Sequence, residues 1–104
     1  MLTLPIKGEW FTYILNGTKL EEYREDSQYY RARFGKLFDL SDYALTHPEA
    51  QKAAKIRLRN GYGADQPSII VTCILQRSQG RVEWGAKPGK DYLVLRILSV
   101  EVER

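Results

Sequence analysis

Residues 68–75 read Ser-Ile-Ile-Val-Thr-Cys-Ile-Leu, the longest apolar stretch of the chain. β-Branched side chains dominate this run, and such runs favour strands that pack on a sheet. We therefore predict a strand over residues 68–77. A second strong strand pattern covers residues 92–97, and residues 98–103 alternate polar and apolar side chains once more.

Two weaker strand patterns complete the set. Residues 55–59 alternate between charged and apolar side chains, which predicts that Ile56 and Leu58 face inward. Residues 2–5 alternate and end at a proline, which is typical of an edge strand. Residues 19–25 could add a further strand. The sequence therefore predicts five or six short strands, enough to form a small β-barrel.

Helical patterns separate the strands. Residues 7–16 carry apolar side chains at helical spacing and are followed by Gly17, a common residue just beyond a helix end. Trp10 lies among these apolar side chains, and we expect it to be a packing residue. Ser27 is predicted to cap a second helix that runs through Phe38. Residues 39–54 are expected to form a helical insertion on the surface. The predicted fold is a single α+β domain over residues 1–104, with helices flanking a small β-barrel.

The composition limits the classes of function. The 104 residues are 43% hydrophobic and 28% charged, and no apolar run approaches the ~20 residues that span a bilayer. With one cysteine and one histidine, the chain has no internal disulfide and no cysteine-based or histidine-rich metal site. No signal peptide is evident, so we expect a cytoplasmic protein without membrane contact, metal or cofactor.

Charge is distributed unevenly along the chain. Residues 1–30 hold three basic and five acidic side chains, whereas residues 31–59 hold seven basic and three acidic ones. The remaining residues, 60–104, hold six basic and five acidic side chains. A basic middle segment favours a polyanion or an anionic ligand as partner, and a solvated charged surface is the alternative.

The most unusual segment is residues 17–24, Gly-Thr-Lys-Leu-Glu-Glu-Tyr-Arg. If it is a strand, Leu20, Glu22 and Arg24 share one face, which we expect to be inward, and Lys19, Glu21, Tyr23 and Glu25 share the other. Burying a carboxylate and a guanidinium costs several kcal/mol per ion unless they are paired. Such a cost indicates either a structural ion pair or a ligand site.

This segment fits the pattern G-x-K-x-x-E-x-R through Gly17, Lys19, Glu22 and Arg24, and it resembles the signature of the ASCH domain family. Three further segments support the resemblance: residues 4–10, 59–63 and 83–86.

The resemblance implies a PUA-like barrel with a cleft that holds RNA or a nucleotide-like ligand. Lys19, Glu22 and Arg24 take the corresponding cleft positions, as binding or catalytic groups. One branch of similar proteins hydrolyses acetylcytidine with a threonine nucleophile three residues after the lysine. Here that position is Glu22, which argues against that chemistry, and Thr18 is a poor substitute. Other relatives are described as ribonucleases.

The remaining candidates are ligand-binding residues, each with a structural alternative. Aromatic side chains beside arginines are typical of sites that stack bases and contact phosphates, whereas packing, turn formation or a solvated strand face are the alternatives. The set is Tyr30, Arg31, Arg57, Arg59, Asn60, Tyr62 and Trp84.

Three hypotheses follow. The first is a module that binds RNA or a modified nucleotide. The second is a metal-independent hydrolase of RNA or of a modified nucleoside, in which Lys19 and Glu22 share acid–base work and Arg24 stabilises negative charge. The third is a protein in which these side chains form only a buried ion-pair network.

Overall fold

The computed structural model describes residues 1–103; Arg104, the last residue of the expected domain, lies outside them. The fold is α+β, with one curled half-barrel sheet and three helices. The strands are β1 (Thr3–Ile6), β2 (Glu21–Arg24), β3 (Ala54–Asn60), β4 (Ser68–Gln79) and β5 (Asp91–Val102). The helices are α1 (Gly8–Leu15), α2 (Gln28–Phe34) and α3 (Asp42–Thr46), with short 3₁₀ turns at Pro48–Ala50 and Val82–Trp84.

The strand order across the sheet is β1-β3-β4-β5-β2. β1 runs parallel to β3, and all other neighbours are antiparallel. The edge position predicted for the first strand is confirmed. The two strands predicted over residues 92–97 and 98–103 are in fact one, β5. The consecutive β4 residues Thr72 and Cys73 pair with Ser99 and Ile97 of β5. Leu98 is therefore an extra residue at a bulge.

The core lies against β3, β4 and β5. Ile56 and Leu58 are fully buried, as their alternation predicts. Phe11 and Ile14 of α1 pack into the same cluster, whereas Leu15 is exposed. The buried members of this cluster are Leu4, Ile6, Phe11, Ile14, Phe34, Phe38, Leu45, Ile56, Leu58, Ile69, Val71, Cys73, Leu75, Leu93 and Leu95.

Two helix predictions need correction. α2 is capped by Ser27, which accepts a hydrogen bond from Tyr30 N, but it ends at Phe34 rather than Phe38. Gly35 follows directly, and glycine is a poor helix former. The predicted surface insertion over residues 39–54 is helical, but α3 buries Leu45 in the main core and is therefore part of the fold.

The two edge strands, β1 and β2, are linked by α1, which packs against β3 and β5. One side chain joins the two edges directly: the Arg24 guanidinium on β2 donates a hydrogen bond to the Pro5 carbonyl on β1 at 2.8 Å. We call the space between these edge strands the seam. Within residues 1–103 no helix has the length and apolar character needed to cross a membrane.

Candidate functional site

A cleft of about 230 Å³ opens at the seam. Both edge strands contribute to it, together with α1 and the turn at Val82–Trp84. Its lining residues are Pro5, Ile6, Lys7, Trp10, Lys19, Glu22, Tyr23, Arg24, Trp84 and Gly85. Ligand pockets for larger organic molecules measure about 300–1,000 Å³, so this cleft suits a single ring system with its substituents.

Three charged side chains form the base of the cleft. The Lys19 ammonium donates to Oε1 of Glu22 at 2.7 Å, and the Arg24 guanidinium donates to Oε2 at 2.6 Å. We call Lys19, Glu22 and Arg24 the charged triplet. Lys19 is 2% exposed and Glu22 5%. Arg24 is half-buried, and two cations around one carboxylate leave the triplet with a net charge of +1.

The backbone after α1 explains how Lys19 reaches this position. Gly17 adopts φ +82°, a left-handed conformation that favours glycine, and reverses the chain. The Lys19 amide then donates to the Tyr13 carbonyl at 2.9 Å. Because Lys19 precedes β2, the strand alternation that predicted it on the opposite face from Glu22 does not apply.

The strand alternation within this segment is only partly as predicted. Glu22 and Arg24 share a face of β2, and both reach the cleft. The expectation that Leu20 faces inward is wrong: it is 51% exposed. It lies before the first residue of β2, so the inward face begins only at Glu22.

Aromatic rings enclose the charged triplet. The Lys19 ammonium lies 4.4 Å from the ring centre of Trp10 and 5.5 Å from that of Tyr23, distances at which a cation is attracted to a ring face. Trp84 contributes a third ring to the lining. Gly85 packs closely against Trp10, since a Cβ atom there would lie 3.0 Å from the indole, and it adopts φ +98°.

The Tyr23 hydroxyl is held by two hydrogen bonds and takes no part in acid–base chemistry in the cleft. It donates to Glu21 at 2.8 Å and accepts from the Arg81 amide at 2.9 Å. Burial is the largest cause that raises the pKa of Tyr23 well above its usual range. The hydroxyl therefore stays protonated, and Tyr23 supplies a ring rather than an acid or base.

The triplet retains capacity to bind a ligand. An ammonium has three N–H donors and a carboxylate has about four acceptor positions. Lys19 uses one of its N–H donors, on Oε1 of Glu22. Each carboxylate oxygen of Glu22 accepts one hydrogen bond within the triplet. The cleft can therefore receive an acceptor, such as a carbonyl or phosphate oxygen, at Lys19 and a donor, such as an amine, at Glu22.

Of the other predicted binding residues, Trp84 lines the cleft and the rest do not. Tyr30 stacks on Phe34 with ring centres 5.9 Å apart. Arg31 donates twice to Asp26, at 2.5 and 3.1 Å.

The basic strand β3 also lies outside the cleft. Arg57 donates to both carboxylate oxygens of Glu103 at 2.7 Å, so its charge is compensated and it is not a free cation on the strand face. The Asn60 side chain lies beside Gly8 at the start of α1. Arg59 and Tyr62 line a separate, smaller hollow.

Sequence reasoning missed several parts of the lining. Trp10 was expected to be a packing residue on α1, yet it contacts the Lys19 ammonium. Tyr23 was placed on the outer face of its strand, yet its ring borders the cleft. Pro5 and Ile6 line the cleft because β1 is the sheet edge that faces β2 across the seam. Only the order of strands in the sheet shows that these two edges face each other.

The cleft suggests no metal centre, since no three His, Cys, Asp or Glu side chains within residues 1–103 lie close enough to hold a metal ion. No protein-family model, curated protein or solved structure matches the chain. Functional assignment therefore depends on the residues of the cleft.

Proposed function

We propose that the protein binds RNA or a modified nucleotide in the seam cleft, in the manner that its resemblance to ASCH domains and their PUA-like fold implies. The observation that carries the proposal is the charged triplet, in which Lys19 and Glu22 are buried and Arg24 is half-buried, which carries a net positive charge, and which shares the cleft with three aromatic rings. Removing these charges from water is costly, and a purely structural role is served as well by apolar side chains.

A nucleotide fits the chemistry of this cleft. Unpaired bases stack on aromatic side chains and form hydrogen bonds along their edges, and Trp10, Tyr23 and Trp84 supply the rings. Lys19 can bind a base carbonyl or a phosphate, and Glu22 can accept from an exocyclic amine. The small cleft volume favours one base at a time.

The test is a thermal-shift and fluorescence panel of nucleosides, modified nucleosides, nucleotides and short single-stranded RNA at low and moderate salt. A ligand at about 100 times its Kd adds about 2.7 kcal/mol of stability, which raises Tm by several degrees in a domain of this size. Because both tryptophans of the chain line the cleft, binding there should also change the intrinsic fluorescence.

A pair of variants connects binding to the triplet. Lys19→Met should abolish binding, whereas Lys90→Met, which removes a partly exposed lysine paired with Glu25 outside the cleft, should leave it unchanged. Circular dichroism shows that each variant is folded at the temperature of the assay. Binding that survives in Lys19→Met, or the absence of binding by every ligand of the panel, would refute the proposal.

A metal-independent hydrolase in the same cleft is the second candidate. The observation in its favour is the 2.7 Å contact between Lys19 and Glu22, which places a proton donor against a proton acceptor. Thr18 is exposed and does not line the cleft, so it offers no nucleophile there. Turnover that disappears in Glu22→Gln while affinity persists would establish the enzyme; loss of affinity without any turnover in the parent protein supports the binding module.

A further inference from the structure

A second hollow, of about 170 Å³, lies beside the seam cleft. We call it the side hollow, and its lining residues are Thr3, Pro5, Arg59, Gly61 and Tyr62. Pro5 lines both cavities. The two cavities therefore meet at strand β1.

Arg59 places a cation in the side hollow. It pairs with Pro5 in the register of β1 and β3, and it is half-buried. Its Nε atom is buried and has no hydrogen-bond partner among residues 1–103. Glu103 lies within electrostatic reach of Arg59, but its carboxylate accepts hydrogen bonds from Arg57 and Ser68 instead. The terminal Nη atoms of Arg59 also make no hydrogen bond to the described residues, so these atoms, rather than the buried Nε, are the donors that can bind an oxyanion.

Tyr62 places an aromatic ring at the rim of the same hollow. The ring is 89% exposed, although tyrosine is usually at least partly covered. Its loop is nevertheless anchored to β1, because the Gly61 amide donates to the Ile6 carbonyl at 2.9 Å. An exposed ring on a fixed loop next to a cation is the composition of a site that stacks a base and contacts its phosphate.

We propose that the side hollow is a second nucleotide subsite and that the ligand is a single-stranded oligonucleotide rather than a mononucleotide. This inference rests on the proposed function of the seam cleft. One base occupies the seam cleft, the strand passes over Pro5, the next phosphate binds Arg59, and the following base stacks on Tyr62. The ligand thus fills two cavities separated by one strand of the sheet.

The experiment compares ligands of different length on the full chain. Kd values are measured for AMP, CMP and UMP and for the tetranucleotides rA4, rC4 and rU4, with the parent protein and with Arg59→Gln, Tyr62→Ala and Arg33→Gln. Arg33 is the matched control, since it is a surface arginine over the Tyr29 ring, outside both cavities.

The subsite predicts that the best tetranucleotide binds at least about tenfold more tightly than its mononucleotide, as expected when a phosphate contact and a stacked base are added. Arg59→Gln and Tyr62→Ala should each remove most of that gain and leave mononucleotide affinity within about twofold. Arg59→Gln should also lower the salt slope of tetranucleotide binding by about 0.7. Arg33→Gln should change neither ligand.

The outcomes separate the two proposals. Mononucleotide binding that depends on Lys19, with no gain for the tetranucleotide and no effect of Arg59→Gln, would overturn the second subsite and leave the seam cleft intact. A tetranucleotide gain that Arg33→Gln removes as effectively as Arg59→Gln would also overturn it. Absence of binding by all of these ligands would overturn the second subsite, and absence of binding by the modified nucleosides of the wider panel as well would overturn both.

Discussion

Replacing Glu22 with alanine should destabilise the fold more than any other single change in the charged triplet. The carboxylate separates two cations, and both are held within 2.7 Å of it. Lys19 would then keep only the ring faces of Trp10 and Tyr23, while Arg24 would keep its bonds to backbone carbonyls. The loss therefore falls mainly on Lys19, which is 2% exposed and is reached by little water.

The magnitude follows from the burial. Two unit charges about 4 Å apart attract each other by about 4 kcal/mol at an effective dielectric constant of about 20, and removing one partner of a buried pair costs about 3–5 kcal/mol. A domain of this size is stable by only about 5–15 kcal/mol. Since each kcal/mol lowers Tm by at least about 4 °C in a domain of about 100 residues, Glu22→Ala should lower Tm by about 12 °C or more.

The assay is urea and thermal unfolding followed by circular dichroism, with two comparisons. Glu25→Ala removes the carboxylate of an exposed ion pair of similar length, 2.6 Å to Lys90, and should leave Tm nearly unchanged. Lys19→Met/Glu22→Leu removes both charges and should recover most of the lost stability. Equal Tm values for Glu22→Ala and Glu25→Ala, or a double variant less stable than Glu22→Ala, would show that the unpaired Lys19 charge does not destabilise the fold.

Three further predictions concern acid stability, thiol reactivity and packing. Hydrogen bonds from Arg57 are the largest cause that lowers the pKa of Glu103 from 4.5 to about 2. Because the folded pKa is the lower one, this pairing stabilises the fold above about pH 4.5 and is lost as the pH falls towards 2; Glu103→Gln should flatten the fall of Tm across that range, and an unchanged profile would contradict the assignment. Burial raises the pKa of Cys73 to about 12, so a thiol-reactive disulfide at about pH 8 should label it only after denaturation, and rapid labelling of the native protein would contradict its burial. A Cβ atom at Gly80 would lie 2.6 Å from the Tyr23 ring; Gly80→Ala should therefore lower the free energy of unfolding by about 1–3 kcal/mol and weaken nucleotide binding, and parent-like values of both would show that the ring moves freely.

Local patterns in the sequence predict most of the secondary structure. The apolar run at residues 68–75 and the alternation around Ile56 both lie in strands. Ser27 caps the start of α2 with its hydroxyl, and Gly17 follows the end of α1 with a positive φ. These signals depend on neighbouring residues only, so they survive in the folded chain. The end of α2 was missed because Gly35 outweighed the apolar spacing that continues to Phe38.

The site itself depended on features that local patterns do not contain. The alternation within residues 20–24 predicted that Glu22 and Arg24 share a face, but the turn at Gly17 places Lys19 beside them. The role of Pro5 follows only from β1 and β2 being the two sheet edges, which the order of strands decides. The pairing of Arg57 with Glu103 joins residues 46 positions apart, so the charge pattern alone could not show it.

Nucleotide binding in the seam cleft can be observed at its two tryptophans. Trp10 and Trp84 are the only tryptophans of the chain and both line the cleft, so the indole N–H signals in a ¹H–¹⁵N NMR spectrum report on it alone. Titration with the best mononucleotide and tetranucleotide should shift both signals with the same Kd as the bulk binding assay, and the shifts should vanish in Lys19→Met. Saturating binding that moves neither indole signal would place the ligand elsewhere and contradict a nucleotide site in the seam cleft.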